Sequence, residues 1–384
     1  MSDEKPARIR LGMVGGGKDA FIGAVHRIAA RIDDDYHLIA GALSSTPERA
    51  RDSGRALGLD PGRTYDDFAT MAQREARRKD GIEAVAIVTP NHMHAPAARE
   101  FLKRGIHVIC DKPLTATLPE ARKLAKAAAA SDALFVLTHN YTGYPMVRQA
   151  RAMIADGVIG KVRVVQVEYA QDWLSTALEE TGAKQAEWRT DPARSGAGGS
   201  TGDIGTHAYN LASFVTGLTL EALAADLSAF VPGRRLDDNG HVMLRFEGGA
   251  KGMLWCSQVA VGNENALRLR VYGETGGLEW AQEDPNYLWY TPLGEPKRLI
   301  TRGGAGAGPA AARVSRTPAG HPEGYLEGFA NIYAEAARAI RARRDGQPVP
   351  SDVVYPTIED GVAGVAFVEA CVRSSARNGA WVTP

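Results

Sequence analysis

A glycine-rich turn stands directly between the first predicted strand and the first predicted helix. Ile9–Val14 is an apolar run typical of a buried strand, and Ala20–Arg31 has the spacing of an amphipathic helix. The residues between them, Gly15-Gly16-Gly17-Lys18-Asp19-Ala20, fit the pattern G-x-G-x-x-A, and Gly23 is an alternative third glycine. Glycines permit a tight turn and let the backbone approach a pyrophosphate at a helix N-terminus. The sequence therefore predicts a dinucleotide site at this turn.

Residues 1–140 alternate short apolar runs with helical patterns. The runs predict buried strands at Ile9–Val14, Tyr36–Leu43, Ile82–Thr89, His107–Cys110 and Leu134–Thr138. The helical patterns are Ala20–Arg31, Pro47–Leu57, Tyr65–Arg77, Pro96–Arg104 and Leu118–Ala130. This alternation predicts an α/β domain with a doubly wound parallel sheet, covering residues 1–140.

The pattern changes after Asn140, where we predict a second domain, 141–384, of the α+β class. It begins with a helix, Pro145–Ala155, a strand, Lys161–Ala170, and a helix, Asp203–Val215. From Leu220 to Ile300 the strands follow one another without a crossover helix, which predicts an open, mainly antiparallel sheet. The segment Arg302–Glu323 is rich in Gly, Ala and Pro and has the length of a lid, a binding loop or a disordered segment. The last two predicted helices are Gly324–Arg343 and Thr357–Arg377.

Charge and cysteine content exclude several classes of protein. Lys plus Arg and Asp plus Glu both number 45, so we expect neither nucleic acid nor a membrane surface as a partner. The three cysteines form no C-x-x-C pair, so we expect no disulfide framework and a cytoplasmic location. The N-terminal residues show no export signal, and no apolar run approaches the ~20 residues that span a bilayer.

Three further segments carry a family resemblance. They are Thr89-Pro90-Asn91-His92-Met93-His94, Cys110-Asp111-Lys112-Pro113 and the glycine-rich segment from Gly198 to His207. Together with the first turn they resemble the Gfo/Idh/MocA oxidoreductases, which include glucose-fructose oxidoreductase, inositol dehydrogenases and levoglucosan dehydrogenase. The resemblance covers nearly the whole chain. It implies a Rossmann domain followed by an open sheet, whose exposed face joins the copies of a homodimer or homotetramer.

The resemblance also implies three catalytic residues. Lys112 takes the position of the lysine in the family's E-K-P motif, and Asp203 and His207 match the D-x-G-x-H pair. Oxidation of a secondary alcohol needs a group that accepts the hydroxyl proton, and Lys112 follows a strand at the edge where open α/β sheets bind ligands. Asp203 and His207 are four residues apart at a helix start, so they share one face. Either Lys112 or His207 is the formal base, and Asp203 orients Lys112 or the reacting hydroxyl.

The choice between NAD and NADP stays open. The second strand usually ends in an acidic residue that binds the adenosine ribose, but this chain has Leu43-Ser44-Ser45-Thr46 there, with Arg49 in the following helix. The hydroxyls can bind ribose or phosphate and Arg49 can pair with a 2′-phosphate, unless these residues only cap and solvate the helix. Asp111 replaces the family's glutamate and has a shorter reach. The predicted cofactor-binding residues are Gly15, Gly17, Phe21, Ile22, Ser44, Ser45, Arg49, Thr89, Pro90, Asn91, His94, Asp111 and Lys112.

The sugar or polyol site needs polar groups and aromatic faces. The predicted substrate-binding residues are Asn140, Tyr141, Trp188, Arg189, His207 and His321. Trp188, Arg189 and His321 fall in irregular stretches of the kind that cover binding sites. His92 and His94 have a spacing seen in metal sites, but a third ligand is not identifiable and no metal is expected.

These observations predict a nicotinamide-dependent oxidoreductase. It would transfer hydride between NAD(P) and a secondary alcohol or ketone of a sugar or cyclic polyol, such as an inositol, an anhydrosugar or an aldose. One alternative is an NAD-dependent glycosidase that acts by transient oxidation of the sugar ring. Another is a sensor without catalysis, which the presence of Lys112, Asp203 and His207 argues against.

Overall fold

The computed structural model describes residues 6–18 and 20–384. The first five residues, where we looked for an export signal, and Asp19 of the glycine-rich turn lie outside the described residues. The chain forms two compact units. The first comprises the described residues up to Thr115, then Pro119–Thr138 and Phe329–Gly361, and the second comprises Ala116–Leu118, His139–Gly328 and Val362–Pro384. The predicted division into a cofactor-binding domain, 1–140, and a substrate-binding and oligomerisation domain, 141–384, stays a prediction.

The first unit is built on a parallel sheet of five strands in the order β2-β1-β3-β4-β5. Its elements are β1 (Ile9–Gly15), α1 (Phe21–Ile32), β2 (Tyr36–Ala42), α2 (Pro47–Ala56), α3 (Phe68–Glu75), β3 (Ala84–Val88), α4 (His94–Leu102), β4 (His107–Cys110), α5 (Leu118–Ala129) and β5 (Phe135–Leu137). These strands confirm the predicted doubly wound fold. The chain changes direction across the sheet between β1 and β3, and ligands of such sheets bind beyond the strand ends at that point.

The second unit is built on an eight-stranded sheet, ordered β13-β12-β11-β10-β6-β9-β8-β7. Its first elements are α6 (Pro145–Ala155), β6 (Val162–Ala170), α7 (Lys184–Arg189), α8 (Pro192–Ser195) and α9 (Thr206–Thr216). The strands that follow are β7 (Leu220–Ser228), β8 (Asn239–Phe246), β9 (Lys251–Ser257), β10 (Ala266–Gly273), β11 (Gly276–Ala281), β12 (Tyr287–Pro292) and β13 (Arg298–Thr301). The mainly antiparallel sheet is confirmed, with β6 and β9 as a parallel pair.

Three helices complete the chain: α10 (Pro309–Ala312), α11 (Tyr325–Arg344) and α12 (Ile358–Ser375). In the sheet of the second unit, alternate side chains of each strand face a buried core that includes Val165, Val167 and Leu254. Helices α6 and α9 pack against this side, which leaves the other side of the sheet exposed. Within the described ranges, none of the helices is both long and apolar enough to cross a membrane.

The segment between Arg302 and Glu323 is ordered around a buried ion pair. Arg302 Nη1 lies 3.2 Å from Glu323 Oε1, and both side chains are almost fully buried. Arg302 also donates hydrogen bonds to the carbonyl oxygens of Thr317, Pro318 and His321. Of the three possibilities that the composition left open, disorder is therefore excluded.

We predict that Arg302→Met will destabilise the second unit and release this segment. The substitution leaves Glu323 as a buried charge without its cation, which costs about 3–5 kcal/mol of unfolding free energy. Denaturant unfolding measures the loss, and trypsin cleavage after Arg313 or Arg316 reports the release. Arg298→Met is the matched control, because Arg298 and its partner Glu295 are both more than half exposed. Equal stability and equal cleavage in the two variants would contradict the role given to Arg302.

Candidate active site

The glycine-rich turn after β1 has a shape that only glycines accept. Gly15 and Gly16 have φ angles of +77° and +67°, in the left-handed region. A Cβ on Gly15 would lie 2.9 Å from the carbonyl oxygen of Val88, and one on Gly17 would lie 2.6 Å from that of Leu43. The turn therefore exposes backbone in front of the N-terminus of α1, where a pyrophosphate can be bound by N–H groups.

Gly23, the alternative third glycine, brings helix α1 against the turn. A Cβ on Gly23 would lie 2.4 Å from the Cα of Gly16, so helix and turn touch through backbone atoms. Ala20, which completes the G-x-G-x-x-A pattern, only precedes the first residue of the helix. From inside α1, Arg27 donates a hydrogen bond to the Gly16 carbonyl. The turn thus carries an insertion relative to the short pattern. In the first turn of the helix, Phe21 is 67% exposed and Ile22 is half-buried.

The end of β2 provides hydroxyls and one exposed cation. Ser44 Oγ accepts a hydrogen bond from the Thr46 amide at 3.2 Å, whereas the Thr46 side chain makes no capping bond to α2. Ser45 and Arg49 are exposed. These groups follow Leu43, against which Gly17 packs, so they belong to the same edge as the turn. A ribose hydroxyl and a 2′-phosphate are both chemically compatible with this set.

The segment after β3 contains buried polar atoms at the same edge of the sheet. Thr89 Oγ1 and His92 Nδ1 are buried and have no hydrogen-bond partner among the residues that the structure describes. Asn91 is also buried. Buried polar atoms of this kind usually have partners, so their position beside the turn fits a polar ligand. Together with the turn, these residues fit a dinucleotide.

The His94 ring contacts the backbone at both of its nitrogens. The ring is buried, and the nitrogens face the carbonyls of Pro113 at 2.7 Å and Thr89 at 2.8 Å. Its predicted part in cofactor binding stays a prediction. Burial lowers the pKa of His94, although the Asp111 carboxylate acts in the opposite direction. The neutral ring donates to one of the two carbonyls and ties the end of β3 to the residues that follow Lys112.

Asp111 is held by groups of its own unit. Its Oδ1 accepts hydrogen bonds from the Lys112 amide and from Thr138 Oγ1, both at 3.0 Å. The same oxygen lies 3.8 Å from His26 Nε2, and His26 Nδ1 lies 2.9 Å from the Tyr333 hydroxyl. Burial alone would raise the pKa of Asp111, but the nearby His26 ring and the charge of Lys112 hold it below its usual value. The predicted contact of Asp111 with the cofactor ribose stays a prediction.

Lys112 lies two residues beyond the end of β4, and its side chain is half-buried. The parallel register pairs Gly15 with Val88 and Ile87 with Cys110, so the turn, Thr89 and Asp111 emerge at one edge of the sheet. The predicted cofactor residues from β1, β3 and β4 are thus brought together.

Asp203 is the charged centre of the second unit's polar cluster. Its Oδ2 accepts hydrogen bonds from Arg189 Nε at 3.1 Å and from Gln258 Nε2 at 3.0 Å. The Arg189 guanidinium lies 4.2 Å from the ring centroid of Trp188 and 5.8 Å from that of Trp173. The structure therefore places the predicted residue Arg189 against the predicted catalytic carboxylate, and the indole rings of Trp188 and Trp173 lie close to its guanidinium.

Asp203 and His207 are separated by a widened helical turn. Residues Thr201–Gly205 form a π-helical turn, in which the Thr206 amide donates to the Thr201 carbonyl. Helix α9 begins at Thr206, so Asp203 lies in the wide turn and His207 at the start of the regular helix. Turns of this type are rare and are frequent at functional sites.

His207 is buried in a group of aromatic rings. Its ring centroid is 4.9 Å from that of Tyr141 and 5.4 Å from that of His139, both edge to face. The Tyr141 and Tyr169 hydroxyls are 2.5 Å apart, and Tyr169 donates to Asn265 Oδ1 at 2.7 Å. Tyr141 is therefore the donor in the bond between the tyrosines. Burial raises the pKa of both hydroxyls, so both stay protonated near neutral pH.

Of the predicted substrate residues, Asn140 is buried and His321 is exposed. Asn140 is 2% exposed, and its Nδ2 has no hydrogen-bond partner among the described residues. His321 has an exposed side chain, while its carbonyl accepts hydrogen bonds from Arg302 and Thr317. The described contacts of His321 are made by its carbonyl, and none of them joins its ring to the group around Asp203.

Sequence reasoning missed several residues of this cluster. Gln258, Tyr169 and Asn265 were not predicted, although all three bond to predicted residues or to their partners. They lie in or beside strands, where no local pattern distinguishes them from ordinary sheet residues. No group of three or more His, Cys, Asp and Glu side chains that could hold a metal occurs in the described part of the chain.

Comparison with known proteins gives the chain's relatives. Residues 9–139 match the family described as "Oxidoreductase family, NAD-binding Rossmann fold", and residues 147–279 match the "GFO/IDH/MocA C-terminal domain". An uncharacterized oxidoreductase of Bacillus subtilis, YfiI, is 37% identical over 97% of this chain and 96% of its own length.

Solved structures agree with this result. An oxidoreductase from Sinorhizobium meliloti is 69% identical, with a TM-score of 0.91, and the match covers 98% of this chain and 100% of that one. An inositol dehydrogenase homologue from Azotobacter vinelandii, solved with NADH and myo-inositol, is 40% identical, with a TM-score of 0.91 and 98% of each chain covered.

The fold and the nucleotide edge define an NAD-binding oxidoreductase with an N-terminal Rossmann domain. The chain belongs to the Gfo/Idh/MocA family, as the motifs of the sequence predicted.

Proposed function

We propose that this protein is an NAD-dependent dehydrogenase that oxidises a secondary hydroxyl of a cyclic polyol or sugar, and reduces the corresponding ketone. The observation that carries the proposal is the Asp203 carboxylate, held by Arg189 and Gln258 within the π-helical turn that leads to buried His207. A carboxylate fixed by two donors can accept a hydrogen bond from a substrate hydroxyl without losing its orientation.

Each predicted catalytic residue has a role in the proposal. A bound nicotinamide would supply the hydride acceptor for the carbinol carbon. His207 binds the reacting hydroxyl and passes its proton to Lys112, and Asp203 orients that hydroxyl. The indoles of Trp188 and Trp173 provide apolar faces for the C–H side of the ring. Asn140 offers a buried N–H group to a second hydroxyl.

The charge of the cluster favours an uncharged substrate. The positive charge of Arg189 is compensated by Asp203 at 3.1 Å, so this pair has no net charge to attract an acid or a phosphate. Polyols offer hydroxyls that donate to Asp203 and accept from amide and imidazole groups. The relative from Azotobacter vinelandii was solved with myo-inositol, which makes inositols the first substrates to test.

We predict that Lys112→Met will retain cofactor binding but lose turnover. With inositols, anhydrosugars and aldoses as substrates, the absorbance of reduced cofactor should show an active parent enzyme and a variant slower by about 10²–10⁴-fold, the usual contribution of proton transfer. Cofactor affinity, measured by titration calorimetry, should change little.

Lys103→Met is the matched control, because Lys103 lies at the exposed end of α4 and pairs with Glu100 of the same helix. It should keep the parent's turnover. Equal turnover of Lys112→Met and the parent would exclude Lys112 as the proton acceptor. Hydrolysis of a nitrophenyl glycoside without accumulation of NADH would instead support the NAD-dependent glycosidase.

The end of β2 gives a prediction for cofactor choice. The parent should bind NADP as well as NAD, because Ser44 and Ser45 place no carboxylate where a 2′-phosphate would lie. Ser45→Asp should weaken NADP binding at least about tenfold through repulsion between like charges, and should preserve NAD binding. Calorimetric titration of both cofactors measures the ratio, with Ser45→Ala as the control. A parent that rejects NADP, or a variant with an unchanged ratio, would contradict the prediction.

We also propose that the exposed face of the eight-stranded sheet binds a second copy of this chain. Met243 and Met253 oppose each other on β8 and β9, and both are more than half exposed. They line a groove of about 370 Å³ that also contains both signs of charge. Within one copy, Glu168 lies 3.2 Å from Arg270 and 3.7 Å from Arg268, so these charges are already compensated and do not oppose a two-fold contact. Exposed apolar sheet faces of this kind mark association surfaces.

Met243→Glu should shift the protein toward monomers. In a two-fold contact the new carboxylate of each copy would be buried in the interface, which is costly. Analytical ultracentrifugation of parent and variant measures the change. Val261→Glu is the control, since Val261 is 81% exposed and does not line the groove. A parent that is monomeric at micromolar concentration would exclude the interface.

We place the protein in the cytoplasm. Cys110, Cys256 and Cys371 are all buried as free thiols. Burial raises the pKa of each thiol, so each stays protonated and unreactive at neutral pH. Free thiols are typical of reducing compartments.

A further inference from the structure

One carboxylate outside the predicted motifs holds the segment that leads to Asp203. Asp237 lies between β7 and β8, in a loop that sequence analysis did not select. Its Oδ1 accepts a hydrogen bond from the Gly199 amide at 2.7 Å. Its Oδ2 accepts three, each at 2.8 Å, from Ser200 Oγ, the Thr201 amide and Thr201 Oγ1. Its carbonyl accepts a fifth, from the Ser200 amide at 2.7 Å.

This segment needs an external support because its own residues provide little restraint. Glycines occupy positions 196, 198, 199 and 202, and glycine is the residue with the greatest backbone freedom. A Cβ on Gly199 would lie 2.0 Å from the Asp237 carbonyl oxygen, so only glycine permits the contact. The freedom that glycine adds is therefore removed by Asp237.

The restraint is passed on to Asp203 and His207 through the backbone. The Asp203 amide donates to the Gly199 carbonyl at 2.9 Å, and the π-helical turn begins at Thr201. Thr201 is held at both its amide and its hydroxyl by Asp237. The position of this turn sets where Asp203 projects and where α9 begins, and His207 is the second residue of that helix.

The loop that carries Asp237 is itself fixed. Asp238, 1% exposed, accepts hydrogen bonds from the amides of Phe230 and Val231 and from Arg234 Nη1. Arg234 is fully buried and pairs with Glu179. Asp237 therefore acts from a rigid support.

The same loop reaches Asp203 by a second route. The Asp238 carbonyl accepts a hydrogen bond from the Gln258 amide at 2.8 Å, and the Gln258 side chain donates to Asp203. The carboxylate of Asp203 is thus located from the loop through its own backbone and through its hydrogen-bond donor.

We propose that Asp237 is a positioning residue of the reaction, which sets the geometry of Asp203 and His207 without touching the substrate. The proposal rests on the dehydrogenase function proposed above. All four hydrogen bonds accepted by the Asp237 side chain come from the three residues Gly199, Ser200 and Thr201. Bonds to an ionised acceptor are roughly twice as strong as neutral ones, so removal of the charge loosens this segment first.

The test combines Asp237→Asn with Asp203→Asn in a double-mutant cycle. Asp237→Asn should lower kcat for the polyol roughly 10- to 100-fold and leave cofactor affinity unchanged. This fold-change corresponds to the free energy of about one hydrogen bond to a charged group. If Asp237 acts by positioning Asp203 together with His207, the loss of kcat in the double variant should be clearly smaller than the product of the two single losses. Losses that multiply in full would overturn the proposal.

Two further variants separate positioning from folding. Ser200→Ala removes one of the four side-chain bonds, so it should give a smaller loss of kcat at unchanged melting temperature, and a parent-like kcat would count against the proposal. Asp60→Asn is the matched control, because Asp60 also accepts a backbone N–H, that of Gly62, but lies in the first unit. It should keep the parent's kcat.

Hydrogen exchange distinguishes failure of this proposal from failure of the proposed function. Without substrate, Asp237→Asn should speed amide exchange in a peptide covering residues 196–207, measured by mass spectrometry. Faster exchange with a parent that oxidises no polyol would exclude the proposed function but retain the role of Asp237 in holding the segment. Unchanged exchange would exclude that role, whatever the enzyme oxidises.

Discussion

Two carboxylates that are largely withdrawn from water, one in each unit of the chain, organise the predicted site residues around them. Removing an ionised carboxylate from water is costly unless donors replace the lost hydration, and this constraint forces separate segments together. Asp111 is satisfied by its following amide and by Thr138, with His26 close by. Asp203 is satisfied by a guanidinium from α7 and an amide from the residue after β9. Apart from the Lys112 amide, these donors come from elements distant in sequence, so each carboxylate fixes the elements as much as they fix it.

Close backbone contacts serve the same purpose where side chains would be too large. Gly23 lies against Gly16, and Gly199 lies against the carbonyl of Asp237. Each contact sets the start of a helix, α1 in the first unit and α9 after its π-helical turn in the second. Glycine gives up conformational entropy at such positions, and the hydrogen bonds of Arg27 and Asp237 to the neighbouring backbone offset part of that loss.

The sequence predicted the features that depend on local pattern. Strand β4 was placed at its residues because a short apolar run ends at a charged Asp-Lys-Pro, and the Asp203–His207 pair was found by its match to the D-x-G-x-H pair of the family. Gln258, Tyr169 and Asn265 were missed because their place in the site follows from the insertion of β6 between β9 and β10, a non-local pairing. The π-helical turn and the two backbone contacts of the His94 ring also leave no local signal. Local sequence pattern therefore located the motifs but not the residues that hold them in place.

The segment between Arg302 and Glu323 is a second case in which local sequence does not predict the structure, because its order depends on contacts between distant residues. Its Gly, Ala and Pro content is compatible with disorder, since it offers few apolar groups to bury. A single guanidinium nevertheless orders it, because Arg302 replaces the missing apolar contacts with hydrogen bonds to three backbone carbonyls. Those carbonyls belong to residues 15 to 19 positions further along the chain, so no window of local sequence contains the whole interaction. Whether such a segment is ordered is decided by one buried charge and its partner Glu323, and composition does not record that pairing.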